Sequence, residues 1–194
     1  MARRTNAERT AETKASLIRA ARKLFAAQGY AATSIDEILE DAGVTRGALY
    51  HHYQEKADLF ADVCGEMHGE AAQAIVSAAD KAKDAFAALE RGSEAWIDYM
   101  ARPEARQIVV IDAPSVLGWA RWNEMDATGF GHLVDGVRAA MAAGKLKEMP
   151  PDELAVLLNG AMNFGVMWAG QSRDATRIAR VKSAVKRLFK LLRA

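Results

Sequence analysis

Disulfide chemistry is absent from this chain. Cys64 is the only cysteine in 194 residues, so no bridge can form within it, and a reducing compartment is the default expectation. Proline is scarce too: Pro103, Pro114, Pro150 and Pro151 are the only four, each where a helix is expected to start or stop. No apolar run approaches the roughly 18 residues that span a bilayer, because charged residues interrupt every one. The opening MARRTNAERTAETK lacks the apolar core of a signal peptide. Strict apolar–polar alternation, the mark of a half-buried strand, is missing as well. No nucleophile–base pair, ligand cluster at metal spacing or phosphate-binding glycine loop stands out, so neither an enzyme nor a metal nor a cofactor is expected. What remains is a soluble, cytoplasmic protein with no membrane segment.

With 51% hydrophobic residues, the chain can bury a sizeable core in one or two domains. The formal net charge is only +1, so the distribution of charge is more informative than its sum. Residues 1–23 carry seven Lys or Arg against Glu8 and Glu12, and residues 173–194 carry eight against Asp174. The middle is therefore acidic.

Helical periodicity dominates, and alanine is abundant throughout. A first helix is expected from about Ala11 to Gln28, with Leu17, Leu24 and Phe25 on its apolar stripe and Gly29 as a left-handed cap. Ser34 with Glu37 three residues on forms a capping-box pattern that opens a second, short helix ending at Gly43. Thr45 can cap a third, from Arg46 to about Tyr53. EKADLF starts a fourth that runs to roughly Ala79. Further helices are expected through GFGHLVDGVRAAMAAGKL, PDELAVLLNGAMNFGVMWAG and DATRIARVKSAVKRLFKLL, giving an all-α chain of about nine helices. No linker composition separates residues 1–60 from 61–194, yet the first segment has the size of a small recognition unit and the second of a larger helical body.

Two short helices joined by a tight glycine turn, behind a stabilising first helix, describe a helix-turn-helix unit. Ile35, Ile38, Leu39, Val44 and Leu49 supply its inward side, which leaves Thr45, Arg46, Tyr50, His51 and His52 outside. Those side chains suit a duplex. Thr45 brings a hydroxyl and free backbone N–H groups to a phosphate, and Arg46 is long enough for the O6 and N7 of guanine. Gly47 permits close approach to the groove wall. Tyr50, His51 and His52 can reach phosphates or base edges, and Lys56 is a phosphate cation. A helix of about eight residues is about 12 Å long, comparable with the major-groove width.

The segment ATSIDEILEDAGVTRGALYHHYQEKADLF, extended back over IRAARKLFAAQGY, resembles the DNA-binding domain of the TetR/AcrR family of transcriptional regulators. Phe25, Gly29-Tyr30, Thr33-Ser34, Ala42-Gly43-Val44, Gly47, Leu49-Tyr50, Tyr53 and Lys56 match together across residues 12–60. The resemblance implies a homodimeric, all-helical protein that binds palindromic operators, usually as a repressor released by a small molecule. It assigns phosphate contacts to Thr33 or Ser34, Thr45, Tyr50, His52 and Lys56, and base contacts to Arg46, Gly47 and His51. Leu39 stands where alanine is usual and Tyr53 where phenylalanine is usual, both at packing positions.

Several bland alternatives stand beside these readings. His51 and His52 diverge by about 100° on a helix and suit one metal ion poorly. Cys64 and His68, four apart, read as a core thiol beside a polar histidine. Arg3 and Arg4 are either a minor-groove arm or a solvated tail.

All four tryptophans lie beyond the DNA-reading segment. Trp96, Tyr99, Met100, Trp119, Trp122 and Met125, with Phe130, Met162, Phe164, Met167 and Trp168, are the candidates for an adaptable apolar effector pocket. Asp98, Asp112, Glu124 and Asp126 are interleaved with them, and a carboxylate among tryptophan faces favours a cationic aromatic ligand. Ile178, Val181, Val185, Leu188 and Leu192 repeat with 3-4 spacing, a packing seam whose basic flanks are solvated rather than a second nucleic-acid site. Leu154, Leu157 or Leu158, Ala161, Phe164 or Gly165, and Trp168 form a stripe on the preceding helix, which supplies the partner. Two such helices from each subunit make a four-helix, isologous dimer interface. The expectation is a ligand-responsive repressor of operator DNA, with an activator or a ligand-independent regulator of the same fold as the alternative.

Overall fold

The structure is a computed structural model that describes residues 5–172 and 174–194, and for Trp119 the backbone alone. Its α1 spans Asn6–Ala32, α2 Ile35–Ala42, α3 Arg46–His52 and α4 Lys56–Ala79. Beyond them come α5, Ala85–Met100, the single turn α6, Pro103–Ala105, and a π-helical segment, Arg106–Asp112. The chain closes with α7, Ala113–Ala142, α8, Pro151–Gly170, and α9, Arg177–Leu192. The described residues contain no strand, only an isolated bridge between Leu146 and Arg193, and none of their helices is long and apolar enough to cross a membrane.

Local signals account for most of the boundaries. α1 begins earlier than its apolar stripe suggests, because Thr5 and Glu8 form a reciprocal capping box ahead of it. Its regular run breaks at Gly29, where φ is +79°, a conformation that a side chain would strain. Ser34 and Glu37 make the expected box at α2, and Gly43 closes that helix in the left-handed region. Gly118 (φ +76°) breaks α7, which starts well before the expected GFGHL segment because the π-helical segment feeds straight into it.

The core of the N-terminal unit is aromatic. Phe25 and Phe60 meet edge to face at 5.1 Å, with Tyr30 4.9 Å from Phe60, and Leu17, Ile38, Leu49 and Tyr53 close around them. α4 carries this core into the body without interruption. Leu59, Phe60, Val63, Cys64, Met67 and Ala71 are all fully buried along it, and α5 and α7 pack against it. Cys64 and His68 are both interior.

α8 and α9 pack on each other, and the expected seam divides between two faces. Leu154, Leu158 and Val185 are buried inside the protomer, with Ile178, Val181 and Leu192 packed partly against them. The stripe that faces outward is one residue round the helix. Leu157 is 71% exposed, Phe164 64% and Trp168 42%, with Leu188 and Leu191 exposed beside them. Ala161 lies on this outer face. α8 is apolar on nearly all sides, so periodicity alone selects the wrong stripe for Leu154 and Leu158. The helices approach closely at Gly165, where an added Cβ would lie 2.7 Å from Val181 Cγ1.

Candidate functional site

α3 is seven residues long, and Leu49 and the following Tyr53 hold it to the core while its other side stays open. Thr45, Arg46, Gly47 and His51 are exposed, Tyr50 is half exposed, and His52 is half-buried. Thr45 caps the helix, its hydroxyl accepting from the Ala48 N–H at 3.3 Å. The Arg46 guanidinium pairs with Asp36 on α2, which holds its pKa above the usual arginine value. Both groups are exposed, so the pair is one that a nucleic-acid acceptor can replace. Ser34 is exposed at the start of α2, where its hydroxyl caps the helix.

Two sequence-derived contacts change role. Thr33 is 1% exposed, and its hydroxyl donates to the Gly29 carbonyl at 2.8 Å, so it closes the corner between α1 and α2 instead of facing a duplex. Lys56 is anchored: Nζ donates to the carbonyls of Tyr30 at 2.8 Å and Thr33 at 2.7 Å and lies 4.0 Å from the Tyr30 ring centroid. Desolvation lowers its pKa. Two of its three donors are used, which leaves one for a phosphate. Arg3 and Arg4 lie outside the described residues.

The same corner is tied to the body. The Tyr30 N–H donates to Asp112 Oδ2 at 2.9 Å, and Gln107 holds the other carboxylate oxygen at 3.1 Å. Arg22 on α1 reaches Glu104 at 2.6 Å and Glu70 at 2.5 Å, while the Tyr99 hydroxyl donates to Glu70 at 2.6 Å. The hydrogen bond from Arg22 is the main force holding the Glu70 carboxyl below its usual range. Burial, followed by Glu70, pushes the Tyr99 phenol upward. None of these partners was legible as a coupling element, because each is an ordinary helix-surface residue until the elements are docked.

The body contains a cavity of about 180 Å³ between α4, α5, α7 and α8. Ile75, Val76, Leu89, Trp96, Leu133 and Met162 form much of its apolar wall, and Ser93, Asp126, Asn159 and His132 its polar part. Of the aromatic and methionine residues expected here, Trp96 and Met162 line it. Tyr99, Met100 and Trp122 are buried elsewhere in the core, with the Trp122 indole donating to the Val109 carbonyl at 3.1 Å. Met125 borders a separate groove between α1, α4 and α7, and Phe130 and Met167 are half-buried away from the cavity wall. Phe164 and Trp168 belong to the outer stripe of α8, where Arg177 stacks 4.3 Å from the Trp168 ring centroid. The Trp119 side chain lies outside the described residues.

Of the four interleaved carboxylates, Asp98 pairs with Lys182 at 2.7 Å, Asp112 caps the Tyr30 N–H and Glu124 is exposed. Asp126 alone reaches the cavity. A directional relay holds it there: Trp96 Nε1 donates to Asn163 Oδ1 at 2.9 Å, Asn163 Nδ2 to Asn159 Oδ1 at 3.3 Å, and Asn159 Nδ2 to Asp126 Oδ2 at 3.2 Å. Asp126 Oδ1 and Ser93 Oγ have no hydrogen-bond partner among the described residues. His68 Nδ1 stands 3.4 Å from that oxygen without bonding to it. The asparagines gave no signal in the sequence, since amides on a helix read as surface until their partners are known.

Comparison with known proteins places this geometry. Residues 17–63 match the model for bacterial regulatory proteins of the tetR family, and residues 86–192 the model for a tetracyclin repressor-like C-terminal domain. The chain is 32% identical over 152 residues to the transposon Tn10 TetC protein of Escherichia coli, covering 76% of this chain and 75% of that protein. It is 33% identical over 108 residues to the HTH-type transcriptional repressor BepR of Brucella suis, which covers 55% of this chain and 51% of the relative. The crystal structure of a TetR-family transcriptional regulator from Pectobacterium atrosepticum superimposes with a TM-score of 0.79 at 31% identity, over 98% of both chains. The chain belongs to the TetR family of transcriptional regulators, and DNA binding by the helix-turn-helix unit is the activity that this membership carries.

Proposed function

We propose that the protein is a homodimeric, cytoplasmic repressor that binds a palindromic operator and releases it when a small molecule enters the body. The observation that carries the reading is the presentation of α3. Leu49 is fully buried while Arg46, Gly47, Tyr50 and His51 on the opposite side are open. In this reading residues 1–60 read DNA and residues 61–194 bind the effector and the second subunit. Arg46, Gly47 and His51 meet base edges, and Ser34, Thr45, Tyr50, His52 and the remaining Lys56 donor meet phosphates.

Dimerisation is supported by the outward stripe of α8 and α9. Leu157, Phe164, Trp168, Leu188 and Leu191 leave an apolar face of the kind that monomeric proteins avoid exposing. A two-fold pairing across it sets two recognition helices against half-sites about 34–36 Å apart. The cavity supports an effector. Its wall includes α4, the helix that also carries the core of the reading unit, so an occupant that shifts α4 changes the spacing of the α3 pair. Coupling of this kind is typically about 1–3 kcal/mol.

A mobility-shift assay on the protein's own upstream DNA tests the reading. Tyr50→Ala is expected to weaken binding to every sequence alike, and Arg46→Ala to relax preference at one base position. Equal discrimination by Arg46→Ala and wild type removes Arg46 from base readout. Transcript levels of neighbouring genes in a deletion strain separate repression from activation.

A further inference from the structure

The cavity described above has an unfilled polar end. Asp126 is 3% exposed, and its Oδ2 is held by Asn159 while Oδ1 receives no hydrogen bond. The buried Ser93 hydroxyl, on the neighbouring α5, is also without a partner. A buried carboxylate oxygen with no donor is costly; no lysine or arginine lines the cavity, and the buried His68, whose Nδ1 stands 3.4 Å from this oxygen, makes no hydrogen bond to it. Asp80 adds a second carboxylate at the wall, beside Val76 and His132, which also border a shallow surface groove. The cavity is therefore acidic at one side and apolar at the other, with the Trp96 indole forming part of its wall.

Three glycines face this space. At Gly129 an added Cβ would lie 3.1 Å from Asp126 Oδ1 and 3.4 Å from Trp96 Cζ3. Its absence keeps the carboxylate oxygen and the indole edge open to the same occupant. Gly92 and Gly136 likewise bring α5 and α7 close to Ile75 and Leu89. The volume of about 180 Å³ slightly exceeds the roughly 150 Å³ that accommodates one benzene.

Resting on the reading of this body as an effector domain, we infer that the effector is a small primary or secondary amine on a single apolar ring, bound as its ammonium. The ammonium donates to Asp126 Oδ1 and Ser93 Oγ, and the ring lies among Ile75, Leu89, Leu133 and Met162 against Trp96. An ammonium supplies the donor that Oδ1 and Ser93 Oγ lack among the described residues, and an aromatic face adds to its attraction. A carboxylate ligand would bring a third negative charge to a wall that already has two.

Three phenyl probes of similar size test this on the full-length, DNA-free protein by calorimetry and thermal shift: 2-phenylethylamine, 2-phenylethanol and phenylacetate. The amine is expected to bind at least tenfold more tightly than the alcohol, with no measurable binding of the acid. Asp126→Asn is expected to bring the amine to the level of the alcohol. Gly129→Ala, which puts a methyl group into the open end and favours the helix, is expected to lose amine binding while its melting temperature is maintained. Equal or tighter binding of the alcohol or the acid, or no binding of any probe, overturns the inference. So does undiminished amine binding by a folded Asp126→Asn protein. Operator binding is measured separately: amine binding without DNA release leaves the ligand chemistry standing and removes the effector reading, and the converse pattern does the reverse.

Discussion

The Tyr30 backbone N–H donates to Asp112 Oδ2 across 82 residues of sequence, joining the broken end of α1 to the last residue of the π-helical segment. The acceptor replaces the backbone carbonyl that the Gly29 break takes away from α1. Asp112→Ala leaves that N–H and the Gln107 amide without the carboxylate. We expect a loss of about 1–3 kcal/mol in thermal unfolding, with the isolated recognition chemistry of α3 untouched. An unchanged melting temperature would show that the contact is incidental.

Tyr50 and Lys56 separate by the state in which they act. Lys56 joins the start of α4 to two carbonyls at the α1–α2 corner, so Lys56→Ala should lower stability of the free protein by about 1–2 kcal/mol as well as weaken DNA binding. Tyr50 is half exposed, and Tyr50→Ala should weaken DNA binding with little change in melting temperature. Parallel melting and mobility-shift series distinguish them, and equal melting temperatures for the two variants would remove the structural role from Lys56.

Acid should act on the Arg22–Glu70 contact. Arg22 holds the Glu70 pKa below its ordinary value, so the folded state binds this proton less readily than the unfolded chain does. The contribution is complete above pH about 4.5 and fades as pH falls through the lower folded-state value. Glu70→Gln should flatten part of the stability loss that sets in as pH falls below about 4.5. Superimposable pH–stability curves for the two proteins would rule this out.

Cys64 is fully buried, and burial pushes its thiol up to about 12. Iodoacetamide at neutral pH should leave the folded protein unlabelled and label it once it is denatured, because the thiolate is the reacting form. Mass spectrometry of native and denatured samples reads the difference directly. Stoichiometric labelling under native conditions would mean that α4 opens readily.

The outer stripe can be tested without disturbing the protomer. Phe164 and Leu157 are mostly exposed in a single chain, so Phe164→Glu and Leu157→Glu should yield folded monomers by light scattering and reduce operator affinity. A dimer that survives both substitutions must use another face. Gly165→Ala acts differently, because its methyl group would displace Val181 and separate α8 from α9, and a loss of about 1–3 kcal/mol is expected.

The reading unit was largely legible because its signals are local. The capping box at Ser34, the left-handed turn at Gly43 and the packing of Leu49 each follow from a few neighbouring residues. Thr33 misled for a related reason: beside Ser34 it looks like a second exposed hydroxyl, and only the fold of Gly29 turns it inward. The body was harder. Trp96 and Trp168 are both tryptophans on helices rich in apolar residues, yet one lines a cavity and the other faces outward, and helical spacing does not say which neighbour each side will meet. Ser93 and Asn159 at the cavity wall, and Asn163 behind them, carry meaning only once α5, α7 and α8 are docked.

The hydrogen-bond relay from Trp96 to Asp126 has a sense of direction. An indole N–H can only give a proton and a carboxylate can only receive one, so the two amides between them are each fixed in one orientation. Loss of the Asn159 amide nitrogen to hydrolysis would therefore break the relay, because the new carboxylate has no N–H to give and stands against the one at Asp126. Asn159 is followed by Gly160, the pairing in which the next backbone nitrogen most readily attacks the asparagine side-chain carbonyl and expels ammonia. Here α8 holds that backbone in helical geometry, out of line for the attack. The helix thus sets the chemical lifetime of the cavity as well as its shape.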